Sequence, residues 1–522
     1  MKTDQKPLID KSTPTTTEGL KQTISLKTSY RHIVTHSSIY IFGMLISKLV
    51  GFVMIPIYTR YLTPADYGVL ELLTMTSDVI AMLVGAGLAH SVLRFYYNYD
   101  TKREKNEVVS TALITGLAVF VFVFGFLSLQ SGFISRVVLG NGEPSAYFTI
   151  IFITMMLFAG VEIPLVFLRA KQRSIYFVMV NLVKLVIQLS LNIYFIVVLK
   201  MGIFGVLYSS LIATIIIGGF LTIKTFLEVG IHFSRPKLYE MLLYGYPLIF
   251  TSLGAFLLTY SDRYFLKYYT DLSEVGIYSL GYKFGMMVSI LILAPFQQFW
   301  AAEMFAVAKR DDAAKVFRDF FTYTTFISIL FCFGLSIYIP DAIRIIASQA
   351  YWRAFWLVPL ISLAYLFIGM HGFVNCGMLI TKKTRYLAYS TGYAVAANIA
   401  LNFLLIPRWG GYGAAISTVI SFGLRFITVY IYSQRLYPLK YEWKRITIAL
   451  SLAAAMVALS FNIDFHSLSY NLTFESVLFI GYIMILYFGG WFKPEEKMLI
   501  RKAAKSPTAV FKSIMEIQRS KS

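Results

Sequence analysis

Fourteen apolar stretches, each about 20 residues long, follow one another along the chain with only short polar breaks between them. A helix rises about 1.5 Å per residue and needs about 20 apolar residues to cross the hydrocarbon layer, so each stretch predicts one membrane-spanning helix. The spans fall at 37–59, 68–92, 108–129, 146–168, 175–199, 203–223, 241–262, 275–299, 319–339, 355–380, 386–406, 412–433, 446–463 and 473–492. Backbone in lipid must close its hydrogen bonds within each segment, which makes the fold all-α and polytopic. No connection between the spans is long enough to fold as a separate domain.

Composition supports this reading. The chain is 57% hydrophobic, only 14% charged, and has a mean hydropathy of +0.66. A soluble core this apolar leaves too little polar surface to face water. The net charge of +20 invites a nucleic-acid reading, but its placement argues against one. With the N-terminus inside, 35 of the 47 Lys and Arg fall in inside segments, 8 in outside segments and 4 within spans. That bias is the positive-inside rule, and it implies an even number of spans with both termini cytoplasmic. Residues 1–36 contain no short apolar segment ending in a small-residue cleavage site and are expected to form a cytoplasmic tail. Cys332 and Cys376 lie inside spans and read as small apolar core residues.

The first six spans and the next six carry matching signatures. Gly51 precedes Arg60-Tyr61 by nine residues, as Gly254 precedes Arg263-Tyr264. Ala65-Asp66-Tyr67-Gly68-Val69 answers Ser273-Glu274-Val275-Gly276-Ile277, Asn192 answers Asn402, and Gly202 to Gly205 answers Gly411 to Gly413. Basic clusters also recur, at Arg169 to Arg173 and Lys382 to Arg385, and the offsets stay between 203 and 212. Six is even, so the two halves sit the same way up, related by a pseudo-two-fold along the membrane normal with the path between them. The expected layout is a tail (1–36), an N-lobe (37–230), a C-lobe (231–440), spans 13 and 14 (441–492) and a basic cytoplasmic tail (493–522). That last segment reads either as an interfacial helix or as a frayed end.

Span 1 and its exit run Gly51-Phe-Val-Met-Ile-Pro56-Ile-Tyr-Thr-Arg60-Tyr-Leu-Thr-Pro64-Ala-Asp66-Tyr-Gly68. This resembles the opening of bacterial polysaccharide transporters, the Wzx-type oligosaccharide-lipid flippases of the multidrug/oligosaccharidyl-lipid/polysaccharide exporter superfamily. The resemblance implies two lobes around a central cavity, worked by alternating access in the bacterial cytoplasmic membrane. The substrate it implies is a polyprenyl-diphosphate-linked oligosaccharide carried from the inner leaflet to the outer one, with no cofactor. A polysaccharide polymerase and glycosyltransferases are the partners it suggests, alongside membrane lipids.

Ionisable residues within spans cost several kcal/mol each and usually face a bundle interior or a wet cavity. Lys48, Lys184, Lys283 and Arg425 have no carboxylate within one helical turn in sequence. Unpaired positive charge in a cavity suits an anionic diphosphate, so these four are the candidate substrate contacts. Lys48 reads alternatively as paired with a neighbour, and the other three as snorkelling to a surface. Asp78, midway along span 2, would either neutralise Lys48 or carry a coupling ion. His371 reads as a packed, hydrogen-bonded histidine or as a proton sensor. Asn181, Gln188 and Asn192 make a polar stripe on span 5, suited to sugar hydroxyls or to bonds between helices. Arg60 and Arg263 are interfacial anchors or an outer gate closing on Asp66 and Glu274. Pro56, Pro164, Pro247, Pro295 and Pro359 fall within spans and predict kinks.

Three functions follow from these residues: the flippase, a drug exporter of the same superfamily, and a membrane-embedded polysaccharide-synthesis enzyme. The exporter would want an acidic or aromatic cavity. An enzyme would want a metal-binding cluster, a phosphate-cradling loop or a large external loop, and the sequence offers none of these.

Overall fold

The protein is described from a computed structural model covering residues 52–85, 87–465 and 467–505. Among these residues the secondary structure is helical throughout, and twelve helices are long and apolar enough to cross a membrane. One of them, Arg385–Leu436, carries predicted spans 11 and 12 run together across a sharp bend at Gly410, where φ is 52°. Span 1 is described only at its outer end, as the helix Ile55–Tyr61. Spans 2 to 10 follow in the expected order, and Trp443–Asn462 and Leu468–Phe488 form spans 13 and 14. A further helix, Pro494–Lys505, opens the last segment.

Several helices extend past the apolar stretches. Span 3 starts at Lys102, six residues before its apolar run, because Thr101 caps it by accepting from the Glu104 amide at 3.3 Å. Span 2 starts at Pro64 behind a capping box. The Thr63 amide donates to Asp66 at 2.9 Å, and the Asp66 amide returns a bond to the Thr63 hydroxyl at 3.2 Å. At the repeat-related position Asp271 caps span 8, accepting from the Glu274 amide at 2.8 Å.

Five prolines predicted kinks. Only Pro164 and Pro247 lie inside helices; Pro56, Pro295 and Pro359 occupy first turns, where the missing amide costs nothing. Span 8 is interrupted just before Pro295 by a π-helical segment, Val288–Leu293.

Here "outer" means the end carrying the Arg- and Lys-poor connections. At that end span 2 (Pro64–Val84) crosses the first helix of span 8 (Leu272–Gly285) backbone to backbone. A Cβ on Gly68 would stand 2.1 Å from the Leu272 carbonyl oxygen, and one on Gly276 would stand 1.9 Å from that of Pro64. These glycines are repeat-related, 208 residues apart in sequence. Tyr351 completes the seal, packing edge-on against Tyr67 and donating to the Leu62 carbonyl at 3.1 Å.

The inner end is joined differently. Span 7 (Arg235–Tyr260) leans its inner half on the N-lobe. Ser91 donates to the Met241 carbonyl at 2.8 Å, Arg94 lies 4.3 Å over the Tyr244 ring, and Lys237 pairs with Glu107 at 2.8 Å. Gly87, with φ 67°, lies so close to Gly245 that an added Cβ would stand 2.8 Å from its Cα. Spans 13 and 14 attach to span 9 (Ala313–Ile346). At their inner ends Arg445 bridges Glu442 and Glu496, each at 2.7 Å, and Lys493 reaches Glu442 at 2.6 Å. Burial alone would raise the Glu442 carboxyl, but bonds from Lys493 and Arg445 outweigh it and hold it below the usual range.

Candidate functional site

A cavity lies at a break in span 2. The helix stops at Val84, turns through Gly85 and Gly87, and restarts as Leu88–Asn98 on a new course. Only glycine takes the left-handed conformation of Gly87 without strain. The space left, about 310 Å³, lies between spans 2, 3 and 4 of the N-lobe and span 7 of the C-lobe. Its wall carries Asp78, His90, Glu162 and Ser252 among apolar residues. Asp78 is exposed into this space. Glu162 sits in the first turn of Ala159–Ala170, where the helix dipole favours a carboxylate.

Span 5 (Ser174–Ile193) presents Ile175, Met179, Val183, Val186 and Ile193 as an exposed apolar stripe, which is the face suited to lipid. Asn181, Lys184, Gln188 and Asn192 recur on the opposite face, so Lys184 joins the stripe read from the three amides. Asn181 donates to its own Phe177 carbonyl at 2.8 Å, while the buried Asn192 donates to the Tyr58 hydroxyl at 3.0 Å. Asn192 therefore ties span 5 to span 1, and Asn402 is likewise buried, bonded to Asn398 at 3.1 Å. Lys184 has no hydrogen bond or ion pair among the described residues; the charge it feels is that of Glu162.

The four candidate cations separate. Lys48 lies outside the described residues, as does any pairing of Asp78 with it. Lys283 departs from the unpaired expectation: it forms an ion pair with Glu71 of span 2 and donates to the Tyr67 hydroxyl at 2.7 Å. Its partner lies more than 200 residues away in the chain, which sequence proximity cannot show. Arg425 is half-buried, and its Nε has no hydrogen-bond partner among the described residues. The neighbouring His371 is partly buried with Nε2 likewise unpartnered, so the hydrogen-bonded histidine expected there is not present at that atom.

The outer gate expected of Arg60 and Arg263 is not formed. Arg60 is exposed, and Asp66 is engaged in its capping box. Arg263 is fully buried inside the C-lobe. It pairs with Asp262 at 2.7 Å, donates to the Thr259 carbonyl at 2.7 Å, and lies 3.9 Å over the Tyr282 ring. Glu274 instead accepts from the Gly411 amide at 3.0 Å and so fixes the bend between spans 11 and 12. What joins the helices at this end is the glycine crossing, with the Lys283–Glu71 pair beside it.

Glu71 lies only three residues inside the apolar stretch that begins at 68, but the helix starts at Pro64, so Glu71 falls in its second to third turn. Its side chain is 15% exposed and that of Lys283 is 37% exposed. Removing one partner of a fully buried pair costs about 3–5 kcal/mol, and partial exposure reduces this to about 1–3 kcal/mol. Lys283→Ala is expected to lower the thermal midpoint of the purified protein, and Glu71→Ala added to it to restore part of the loss. Strict additivity of the two in a double-mutant cycle would show that the pair does not couple the lobes.

The family model described as "Polysaccharide biosynthesis protein" matches residues 33–300, just over half of the chain. An uncharacterised membrane protein of Haemophilus influenzae is 23% identical over 273 residues, covering 50% of this chain and 63% of that protein. One from Methanocaldococcus jannaschii is 25% identical over 237 residues, covering 41% of this chain and 44% of that protein. Each match thus spans less than two thirds of the relative's own length. Among solved structures, the lipid II flippase MurJ in an inward closed conformation superposes with a TM-score of 0.71 at 13% identity, covering 86% of this chain and 99% of that one. An inward-facing multidrug resistance MATE family transporter of the MOP superfamily gives 0.61 at 14% identity, covering 75% and 97%. At these identities the likeness is one of fold, an all-α transporter fold.

Proposed function

The chain belongs to the polysaccharide biosynthesis protein family, and from that premise we propose that it is a flippase for a polyprenyl-diphosphate-linked oligosaccharide. It carries the head group from the inner to the outer leaflet by alternating access while the lipid tail stays in the bilayer. The observation that carries this reading is a pair of cations, Lys184 and Arg425, that have no hydrogen bond or ion pair among the described residues. Lys184 lies about ten residues above the inner start of span 5, and Arg425 about eleven above the inner end of span 12, so both sit roughly 15 Å deep. Both face away from the lipid-exposed stripes of their helices, since Ile420, Ile427 and Ile431 mark that stripe on span 12. A diphosphate entering from the inner side supplies the directly bonded anion that neither has among the described residues. Its outward movement runs with an inside-negative potential, worth about 2.3 kcal/mol per charge per 100 mV. Glycosyltransferases supply such a substrate and a polymerase consumes it, which makes them the expected partners in the cytoplasmic membrane.

The test is translocation of a lipid-linked oligosaccharide in proteoliposomes, read as its exposure to an impermeant glycan-modifying enzyme. Lys184→Ala combined with Arg425→Ala is expected to slow transport about tenfold or more at unchanged protein level, and Lys184→Arg to retain it. Wild-type rates in the double variant would remove both residues from the path.

A second reading has one observation behind it. The acidic wall formed by Asp78 and Glu162 suits a cationic amphiphile, as a drug exporter would bind. Protection of cells against cationic dyes, lost in Asp78→Asn, together with no glycolipid transport, would favour that reading.

A further inference from the structure

Beyond the two lobes, where spans 9, 13 and 14 meet at the outer end, a second polar site lies in a cavity of about 150 Å³. Asp341 of span 9 is 2% exposed and Glu475 of span 14 is 5% exposed. Both carboxyls line this one cavity, near enough for each to feel the other's charge. Yet Asp341 Oδ2 and Glu475 Oε2, both buried, find no donor among the described residues. The surrounding groups are already committed. Arg344 divides its guanidinium between Asp464 at 2.8 Å and Asp341 Oδ1 at 3.5 Å. Asn471 donates to Asp464 at 3.1 Å and to Asp341 Oδ1 at 3.4 Å, and its own oxygen accepts from the Phe465 amide at 2.9 Å. Trp356, Phe461 and Phe474 close the remaining sides.

Three carboxyls thus surround one guanidinium, and two of them are buried in the same small cavity. Two ionised carboxylates cannot share such a place, because their repulsion and desolvation are uncompensated. We infer that Asp341 and Glu475 bind one proton between them, and that this proton fastens span 14 to span 9. A proton on Glu475 donates to Asp341 and supplies the one bond that both orphaned oxygens lack. When it leaves for water at the outer end, two adjacent negative charges remain and push the helices apart. The site lies outside the six-span repeats and does not depend on what the lobes carry.

The test uses the full-length protein in lipid nanodiscs, with thermal midpoints taken from about pH 5 to about pH 9. The folded state holds the shared proton more tightly than the unfolded chain, so stability is greatest at the acidic end and falls as pH rises. The wild type is expected to lose a few degrees across that range. Glu475→Gln, whose amide still donates to Asp341 but cannot ionise, is expected to flatten the profile, and Asp341→Asn to do the same. Infrared spectra of the wild type give a reading that needs no variant to fold: a protonated-carboxyl carbonyl band at neutral pH that disappears in alkali. Equal pH slopes in wild type and Glu475→Gln would overturn the inference. So would absence of the band combined with stabilisation by sodium or calcium ions, which would place a metal ion where the proton is assigned.

Discussion

Gly68→Leu abolishes transport while leaving each lobe folded: this is the largest functional effect expected of any single substitution. At Gly68 a first side-chain carbon already stands 2.1 Å from the Leu272 carbonyl oxygen, and no rotamer can relieve a clash with backbone. Spans 2 and 8 must then separate at the outer end, and the outward-closed state is lost. Gly276 faces the same constraint against Pro64, so Gly276→Leu is expected to behave alike. Both helices run unbroken through the crossing, so the fault lies between the lobes and not within them. The readout is a single cysteine at Val275, fully buried in this state, in a background without Cys332 and Cys376. An impermeant maleimide should label it rapidly in Gly68→Leu and slowly in the parent. Slow labelling in both, with normal transport, would mean the crossing is not the seal.

Arg263→Ala is the counterpart for stability. It leaves Asp262 buried at 2% exposure without its cation and strips the face of Tyr282 of its partner. Breaking a buried pair in this way costs about 3–5 kcal/mol, enough to lower yield in the membrane as well as the thermal midpoint. Arg263→Lys should recover little, because an ammonium cannot lie flat on Tyr282 while bonding both Asp262 and the Thr259 carbonyl. Arg60, its repeat partner, is exposed, and Arg60→Ala should stay within about 0.5 kcal/mol of the parent. Comparable losses at the two positions would show that the buried pair is not what holds this part of the C-lobe.

The fold was legible because its determinants are local. Twenty apolar residues and a following Thr63 or Asp271 cap depend on neighbours in sequence, and the glycine repeat at offset 208 survives as plain text. The site was less legible because its charges are settled across helices. Lys283 reads as unpaired until span 2 supplies Glu71, and Glu475 passes as one acid in an apolar run until span 9 supplies Asp341. Arg60 and Arg263 illustrate the same limit from the other side. They share a repeat position and a chemical type, but only Arg263 has Asp262 beside it, Tyr278 and Tyr282 around it, and hence a place in the interior. The gap reads as electropositive from sequence, but the cavity beside span 7 carries Asp78 and Glu162 on its wall.

The way span 7 leans across the inner end has a consequence for the working cycle. At the outer end two repeat-related helices, spans 2 and 8, cross backbone to backbone. The other end is crossed by a single helix borrowed from one half, anchored at Lys237 and Tyr244 and able to swing at Gly245 and Pro247. The two ends are therefore built unlike each other: a paired crossing at one, a single helix laid across at the other, so substitutions at Lys237 and at Gly68 act on separate joints.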